Sequence, residues 1–150
     1  EGNLDPVARA VEIIRQNGIP AGICAHDLNT VVKCVEAGIL PDFWLKTLHH
    51  TNYWSARPDE VEGGLGKNDN LWCSQPEETI EFMGKLTQPW IAFKVLAAGA
   101  IEPKEGFRYA FEGGADIICV GMYDFQIVDD VNTAMEILNG NLNRRRPWFA

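Results

Sequence analysis

Short apolar runs alternate with amphipathic segments along most of this chain. The apolar runs lie near residues 19–26, 42–49, 89–97 and 115–121, and glycine or proline bounds them. Their length and boundaries are typical of buried strands. The segments around them place apolar residues at helical spacing. The pattern therefore predicts one helix followed by four strand–helix units.

Glycine and proline mark the limits of the predicted helices. Pro6 and Pro76 stand in the first turns of two of them, where proline is well tolerated, with Asp5 and Ser74 as candidate caps. Glycines close the helices, because glycine accepts the left-handed backbone of a helix end. The predicted helices span residues 5–17, 27–38, 75–86, 102–113 and 123–140.

Strands that alternate with helices indicate an α/β fold, in which parallel βα units connect by right-handed crossovers. Polar residues gather after the strands, as they do at the carboxyl edges of barrels and of doubly wound sheets. No GxGxxG follows the first strand, which argues against a dinucleotide site. At 150 residues the chain fits a single domain, 1–150.

Residues 51–74 interrupt this rhythm with a long segment that is rich in glycine. Tyr53, Trp54 and Trp72 lie within it. Long connections in compact domains are usually functional or disordered, and the aromatic side chains favour an ordered lid. Trp54 is thereby a candidate substrate contact. The alternative is a loop whose tryptophans only pack on the body of the protein.

The charge balance disfavours nucleic acid and membrane partners. The formal net charge is −8, and basic residues cluster only at Arg144–Arg146. No apolar run approaches the ~20 residues that span a bilayer. We expect the tail, residues 141–150, to be a solvated arm, with Trp148 and Phe149 able to dock on a neighbour.

The cysteines favour a reducing, cytoplasmic compartment. Cys24 and Cys119 fall in apolar strand-like runs and Cys34 in a helical pattern, where reduced thiols are usually buried. Their spacing matches neither a zinc site nor a disulfide framework. The chain begins at Glu1 without methionine, which suggests processing or a piece of a longer protein.

Two apolar runs each carry one lysine. Lys46 lies in PDFWLKTLHH, residues 41–50, and Lys94 lies in PWIAFKVLAAGAI, residues 89–101. A lysine that loses hydration in an apolar strand needs a partner or a chemical role. The two runs therefore predict one polar pocket that both lysines line.

These runs also resemble a known family. FKVLAAGAI and GADIICVGM are similar to the last two strands of a (β/α)8 barrel, whose strand-end turns commonly hold a phosphate. DFWLKT followed by FKVLAAGAI resembles class I aldolases of the deoxyribose-phosphate aldolase type. The resemblance implies half of a (β/α)8 TIM barrel, strands five to eight, which another segment, another chain or a second copy completes.

The same resemblance assigns candidate roles. Lys46 falls on the Schiff-base lysine of the sixth strand, and Lys94 falls on the second lysine of the seventh. The turns at Gly99 and Ala100, and at Gly121 and Met122, become candidate anion sites. The sequence departs from the family pattern where Leu48, His49 and His50 replace a Ser/Thr-rich turn, and where Ala100 replaces a second glycine.

A Schiff-base lysine must react as a neutral amine. Burial and a second cation both disfavour the ammonium form, so Lys46 is the predicted nucleophile and Lys94 its electrostatic tuner. His26 and His50 are the acid/base candidates. The substrate would be a small polar carbonyl or sugar-like compound, phosphorylated or not, and no cofactor is needed. Alternatively, each lysine simply pairs with a carboxylate such as Asp27 or Asp124.

A second interpretation uses the histidines differently. His26 and His49 close consecutive strands and Asp124 follows the last one, which resembles the metal-dependent amidohydrolases. Imidazoles would then hold a divalent metal that lowers the pKa of a bound water, in a hydrolase or isomerase. A third hypothesis is a half-barrel module whose role is assembly without catalysis.

Strand alternation separates the first two interpretations. Lys46 and His50 share one face of their strand, while Thr47 and His49 share the other. Because Lys46 would be costly against an apolar helical layer, we expect Lys46 and His50 to point away from the helices. The metal site needs His49 there instead, unless a bulge intervenes.

Overall fold

The computed structural model describes residues 3–57, 61–62, 65–66 and 70–149 and shows an α/β fold, as predicted. These residues form one four-stranded parallel sheet of β1 (Gly22–Ala25), β2 (Phe43–Thr47), β5 (Trp90–Phe93) and β6 (Ile117–Cys119), in that spatial order. The strands β3 (Val61–Glu62) and β4 (Leu65–Gly66) pair as a short antiparallel hairpin that the sequence pattern did not predict.

Helices alternate with the parallel strands in the predicted order. Within the described residues they are α1 (Asp5–Gln16), α2 (Leu28–Glu36), α3 (Pro76–Met83), α4 (Pro103–Gly113) and α5 (Ile127–Asn139). Short 3-10 turns at Ala97–Gly99 and Asp124–Gln126 follow β5 and β6. The strands are shorter than the apolar runs, because the ends of each run leave the sheet.

The helix starts follow local rules, except that the predicted caps Asp5 and Ser74 do not cap α1 and α3. Proline opens α1, α3 and α4, where its missing N–H leaves no hydrogen bond unmade. Asp27 caps α2, its carboxylate accepting from the Asn29 N–H at 3.0 Å. Ser74 does not cap α3, since Gln75 occupies the cap position.

The helices cover one face of the parallel sheet. The register aligns Trp44 of β2 with Trp90 of β5, and both indoles are fully buried. They pack in one core with apolar side chains from each of the helices α1 to α5. Alternation places the next residue of each strand on the opposite face. Leu45 and Ile91 are there only half-buried, and Ile117 is 44% exposed.

This asymmetry corrects the prediction for two cysteines. All four cysteines lie in described parts of the chain and are free thiols. Cys24 and Cys119 are exposed rather than buried, because alternation places them on the face that the helices leave open. Cys34 and Cys73 are buried.

The C-terminal segment folds back on the body of the protein, so the predicted solvated arm is wrong. Asp116, whose side chain is fully buried, accepts hydrogen bonds from Arg146 at 3.0 Å and from Arg144 at 3.3 Å. The backbone N–H groups of Trp90 and Phe149 also donate to it, at 2.8 and 3.0 Å. One carboxylate thus joins the start of β5 to the chain's last residues.

Aromatic stacking completes this docking. The Arg144 guanidinium lies 3.3 Å from the ring centre of Trp148, and that of Arg146 lies 4.5 Å from the ring centre of Phe149. The predicted basic cluster is therefore largely buried, since both guanidinium groups face Asp116 and a ring of the tail.

The long segment between β2 and α3 is partly ordered against the body. The Tyr53 hydroxyl donates to the Asn70 carbonyl at 2.7 Å, and Trp72 is only 8% exposed. Trp54 is 84% exposed. Residues 58–60, 63–64 and 67–69 of the predicted lid, with their glycines, lie outside the described residues.

A membrane-spanning helix was not expected. None of the helices in the described parts of the chain combines the length and the apolar character that crossing a bilayer demands.

Removing the charge of Asp116 should destabilise the protein strongly. We expect Asp116→Asn to lower the free energy of unfolding by about 3 kcal/mol, because two buried guanidinium groups lose their counter-charge. Urea unfolding at neutral pH measures this change. Glu81→Gln, in an exposed pair with Lys85, is the matched control and should leave the free energy of unfolding nearly unchanged. Equal effects of the two substitutions would contradict the structural role of Asp116.

Candidate active site

A cleft of about 680 Å³ opens at the carboxyl ends of β5 and β6. Its volume suits a small metabolite, and its position matches the usual ligand edge of parallel sheets. The turns after both strands and the starts of α4 and α5 line it. Among the lining residues are Lys94, Gly99, Gly121, Met122, Tyr123 and Asp130.

The turn after β5 has an unusual backbone. Lys94, Ala97 and Ala98 have φ values of 60°, 46° and 57°, in the left-handed region that L-residues rarely occupy. Each such residue costs on the order of 1 kcal/mol or more and persists only where the surroundings fix it. Gly106 of α4 helps to fix it, because a Cβ there would lie 2.7 Å from the Val95 carbonyl oxygen.

Lys94 is exposed, so the prediction that it is buried in a strand is wrong. β5 ends at Phe93, and the left-handed backbone of Lys94 begins the turn. Its amine lies 4.1 Å from the centre of the Trp72 ring, a cation–π contact. Among the described residues no carboxylate pairs with Lys94, which leaves the amine free to meet a ligand in the cleft.

Lys46 is buried, but on the face opposite to the one predicted. It shares a face with Trp44 and lies on the helix-covered side of the sheet, only 1% exposed. Its amine donates to both the carbonyl and the hydroxyl oxygens of Thr47 at 2.9 Å. These hydrogen bonds offset the cost of burial that led us to expect the other face. The predicted role of Lys46 as nucleophile lacks an open path to substrate here.

The surroundings of Lys46 change the pKa of its amine in opposite directions. Burial lowers the pKa of its amine, and the nearby Cys73 and Asp27 oppose that shift. The amine borders a cavity of about 20 Å³ between the starts of α2 and α3, beneath Trp72 and Cys73. That space suits a single water molecule rather than a substrate.

The alternative that each lysine pairs with a carboxylate such as Asp27 or Asp124 is not seen in the described structure. Lys46 bonds to Thr47, and Lys94 lies over Trp72. Asp27 caps α2, while Asp124 accepts the N–H of Phe125 at 2.9 Å. Both aspartates therefore have local backbone partners.

His49 has a structural role. Its Nδ1 lies 2.9 Å from the His50 carbonyl oxygen, and its Nε2 accepts the N–H groups of Trp72 and Cys73 at 3.0 and 3.1 Å. This pattern requires a neutral ring with its proton on Nδ1. Burial is the main reason that the pKa of His49 falls to about 4.

The predicted metal site is therefore not assembled. Both ring nitrogens of His49 already have backbone partners, and Asp124 lies in the exposed turn after β6. The residues that the structure describes contain no group of three or more His, Cys, Asp or Glu side chains able to hold a metal ion.

His50 also differs from its predicted role. β2 ends at Thr47, so strand alternation does not fix the direction of His50, whose ring packs edge-on against Tyr109 of α4. Its Nδ1 accepts the Asn52 N–H at 3.2 Å, and its Nε2 lies 3.2 Å from Glu105 Oε1 without hydrogen-bond geometry. His50 does not line the cleft.

His26 remains the acid/base candidate beside Lys94, but it lines the small cavity next to Lys46 and not the cleft. Its ring lies 4.9 Å from that of Phe93 and 6.5 Å from that of Trp72, which also contacts Lys94. Burial, then the charges of Lys94 and Lys46, lower the pKa of His26. Its Nδ1 is buried and has no hydrogen-bond partner among the described residues. A neutral imidazole thus lies within electrostatic reach of both lysines.

The candidate anion-binding turns divide into two kinds. The Gly99 N–H donates to Leu96 O at 2.8 Å, and the Ala100 N–H donates to Ala97 O at 3.2 Å. Within the described structure the N–H groups of Gly121 and Met122 have no such partner. Of these four N–H groups, those of Gly121 and Met122 are therefore the ones available to an anion in the described structure. Ala100 and Trp54 do not line the cleft.

Sequence reasoning missed Tyr123, Gln126 and Asp130, which also line the cleft. Asp130 carried a usable signal. It stands three residues after Ile127 and four before Ala134, so a charge interrupts the apolar stripe of α5. Tyr123 and Gln126 carried none, because a polar loop residue has no periodicity to break.

The geometry of His49 predicts acid sensitivity. An unfolded histidine binds its proton near pKa ~6.5, before the folded protein does, so the free energy of unfolding should fall from pH ~6.5 down to ~4. The total loss from His49 should be about 3 kcal/mol. Urea unfolding at several pH values measures it.

His49→Gln keeps a neutral acceptor and should flatten most of this pH dependence. His50→Gln is the matched control and should leave the curve close to that of the unaltered protein. An unchanged slope in His49→Gln would contradict the role assigned to His49.

Comparisons of this chain with protein-family models, with curated proteins and with solved structures found no match.

Proposed function

We propose that this chain forms strands five to eight of a (β/α)8 barrel, which another segment or another chain completes. The parallel strands lie side by side in chain order, with no reversal. A doubly wound sheet would reverse its strand order and carry helices on both faces. Here the core places the helices on one face only, as the outer layer of a barrel does.

The uncovered face supports this proposal. Leu45, Ile91 and Ile117 follow one another across it, and each retains contact with solvent. A contiguous apolar surface of this kind normally has a partner. In a closed barrel the same side chains would fill the interior.

The barrel proposal predicts association. The chain alone should bind a hydrophobic dye and should sediment as a dimer or larger species at micromolar concentration. Leu45→Glu should weaken that association, because it puts a charge on the open apolar face. Val128→Glu, a similar change at an exposed position of α5, is the control. A stable monomer that binds no dye would contradict the proposal.

The site supports an enzyme that acts on a small polar carbonyl or sugar-like substrate, with or without a phosphate group. The observation that carries this proposal is the free amine of Lys94 at the cleft, on a turn with left-handed backbone. Strained residues cluster at functional sites, because a packed structure holds them in place for binding or reaction.

The reaction that we favour is aldolase-like lyase chemistry through a lysine amine, with Lys94 in the position predicted for Lys46. The neutral amine would attack the carbonyl carbon, and loss of water would leave a Schiff base. His26 does not line the cleft, but it packs against Phe93 and Trp72 beside Lys94 and is the candidate to carry the proton through an intervening water. The N–H groups of Gly121 and Met122 are available to an anionic group of the substrate.

Borohydride trapping tests the covalent step. With dihydroxyacetone phosphate as the carbonyl probe, we expect one adduct per chain, which peptide mass spectrometry should locate on Lys94. Lys94→Arg should lower trapping at least tenfold while it keeps the positive charge. Lys104→Arg, at an exposed position on α4, is the matched control.

Two results would contradict this assignment. Trapping on Lys46 would show that the buried amine reacts despite its position, and equal labelling of surface lysines would show no selective site. The non-catalytic assembly role would then be favoured, since the open apolar face supports it independently of the cleft.

A further inference from the structure

We propose that Asp130 is the carboxylate that binds hydroxyl groups of the ligand in this cleft, so that the ligand is a polyhydroxylated anion such as a polyol or sugar phosphate. The inference rests on the proposed function, in which the ligand reaches Lys94 and its anionic group meets the N–H groups of Gly121 and Met122 in the same cleft. It adds a second contact, on a different element, and a narrower class of substrate.

Asp130 is an unpaired buried acid. It is 6% exposed and lines the cleft. Val120, Val131 and Ala134 line an apolar groove that also reaches Asp130. Among the described residues no hydrogen bond or ion pair reaches its carboxylate. Its oxygens are nevertheless open to the water of the cleft, so a hydroxyl group of a ligand can take the place of that water.

The start of a helix favours negative charge, which could explain an acid at this point of the chain. Asp129 already provides that charge in the same turn of α5, and it is exposed. The helix dipole therefore does not require the next carboxylate to be buried. Nor does the helix dipole account for the presence of Asp130 in the lining of the cleft.

Lys94 and Asp130 lie on separate elements that line one cleft. No ion pair joins Lys94 to Asp130 in the described structure, although both line the cleft. A cation and a carboxylate that do not neutralise each other leave room for a ligand between them. Such a ligand carries hydroxyl donors toward Asp130, while its anionic group meets the N–H groups of Gly121 and Met122.

Two matched ligands separate the contributions. Glycerol 3-phosphate and propyl phosphate share the phosphate and the three-carbon chain, but only the first has hydroxyl groups. We expect calorimetric titration of the unaltered chain to show glycerol 3-phosphate binding about tenfold more tightly, since a hydrogen bond to a charged group contributes about that much. Equal affinities would overturn the proposal.

Asp130→Leu should abolish this preference and leave the affinity for propyl phosphate within about twofold. Asp129→Asn, the neighbouring exposed acid, is the matched control and should keep the preference. A preference that persists in Asp130→Leu would overturn the proposal.

A stability measurement separates ligand binding from a structural role. Asp130→Asn should leave the thermal unfolding midpoint close to that of the unaltered protein, because the carboxylate has no partner in the described structure whose loss would cost stability. A clear fall in the midpoint would show that Asp130 has a structural partner, and it would overturn the proposal. Lys94→Arg tests the proposed function through borohydride trapping alone. A loss of the proposed covalent step would therefore leave the comparison of the two phosphates at Asp130 intact.

Discussion

The covering of the parallel sheet on one face is the constraint on which the other features depend. Trp44 and Trp90 anchor the helix layer, and strand alternation then assigns every neighbouring residue to one environment or the other. Lys46 falls in the helix layer, and Ile117 falls on the open face. The same constraint leaves an apolar surface that a second group of strands would cover.

The polar groups inside the core form a scaffold for the site. Lys46 donates to Thr47, whose hydroxyl lies within hydrogen-bond distance of the carbonyl oxygens of His26 and Trp72. His49 accepts the Trp72 N–H from below the same segment. Trp72 in turn carries the amine of Lys94. Lys46 and His49, which resemble catalytic residues in the sequence, thus fix the Trp72 segment against which Lys94 of the cleft packs.

The candidate site combines features that reduce stability. Three non-glycine residues of the turn after β5 have left-handed backbone, and next to them the carboxylate of Asp130 lines the cleft without a partner in the described structure. The surrounding packing, including the close approach of Gly106, offsets these costs. Such local conflicts with folding are expected where a protein binds or transforms a ligand.

The sequence by itself determined the element order, the parallel α/β class and the region of the site. Apolar runs, helical spacing and helix-end residues are local signals, and the carboxyl ends of parallel strands meet at one edge whatever the details. Only the tertiary structure decided which face the helices cover, and therefore which lysine is buried. It also decided that His49 holds the Trp72 segment and that Arg144 and Arg146 dock on Asp116. These contacts join residues that are distant in the chain, so local patterns do not reveal them. Strand alternation tells which residues share a face of the sheet, but not which of the two faces the helices cover.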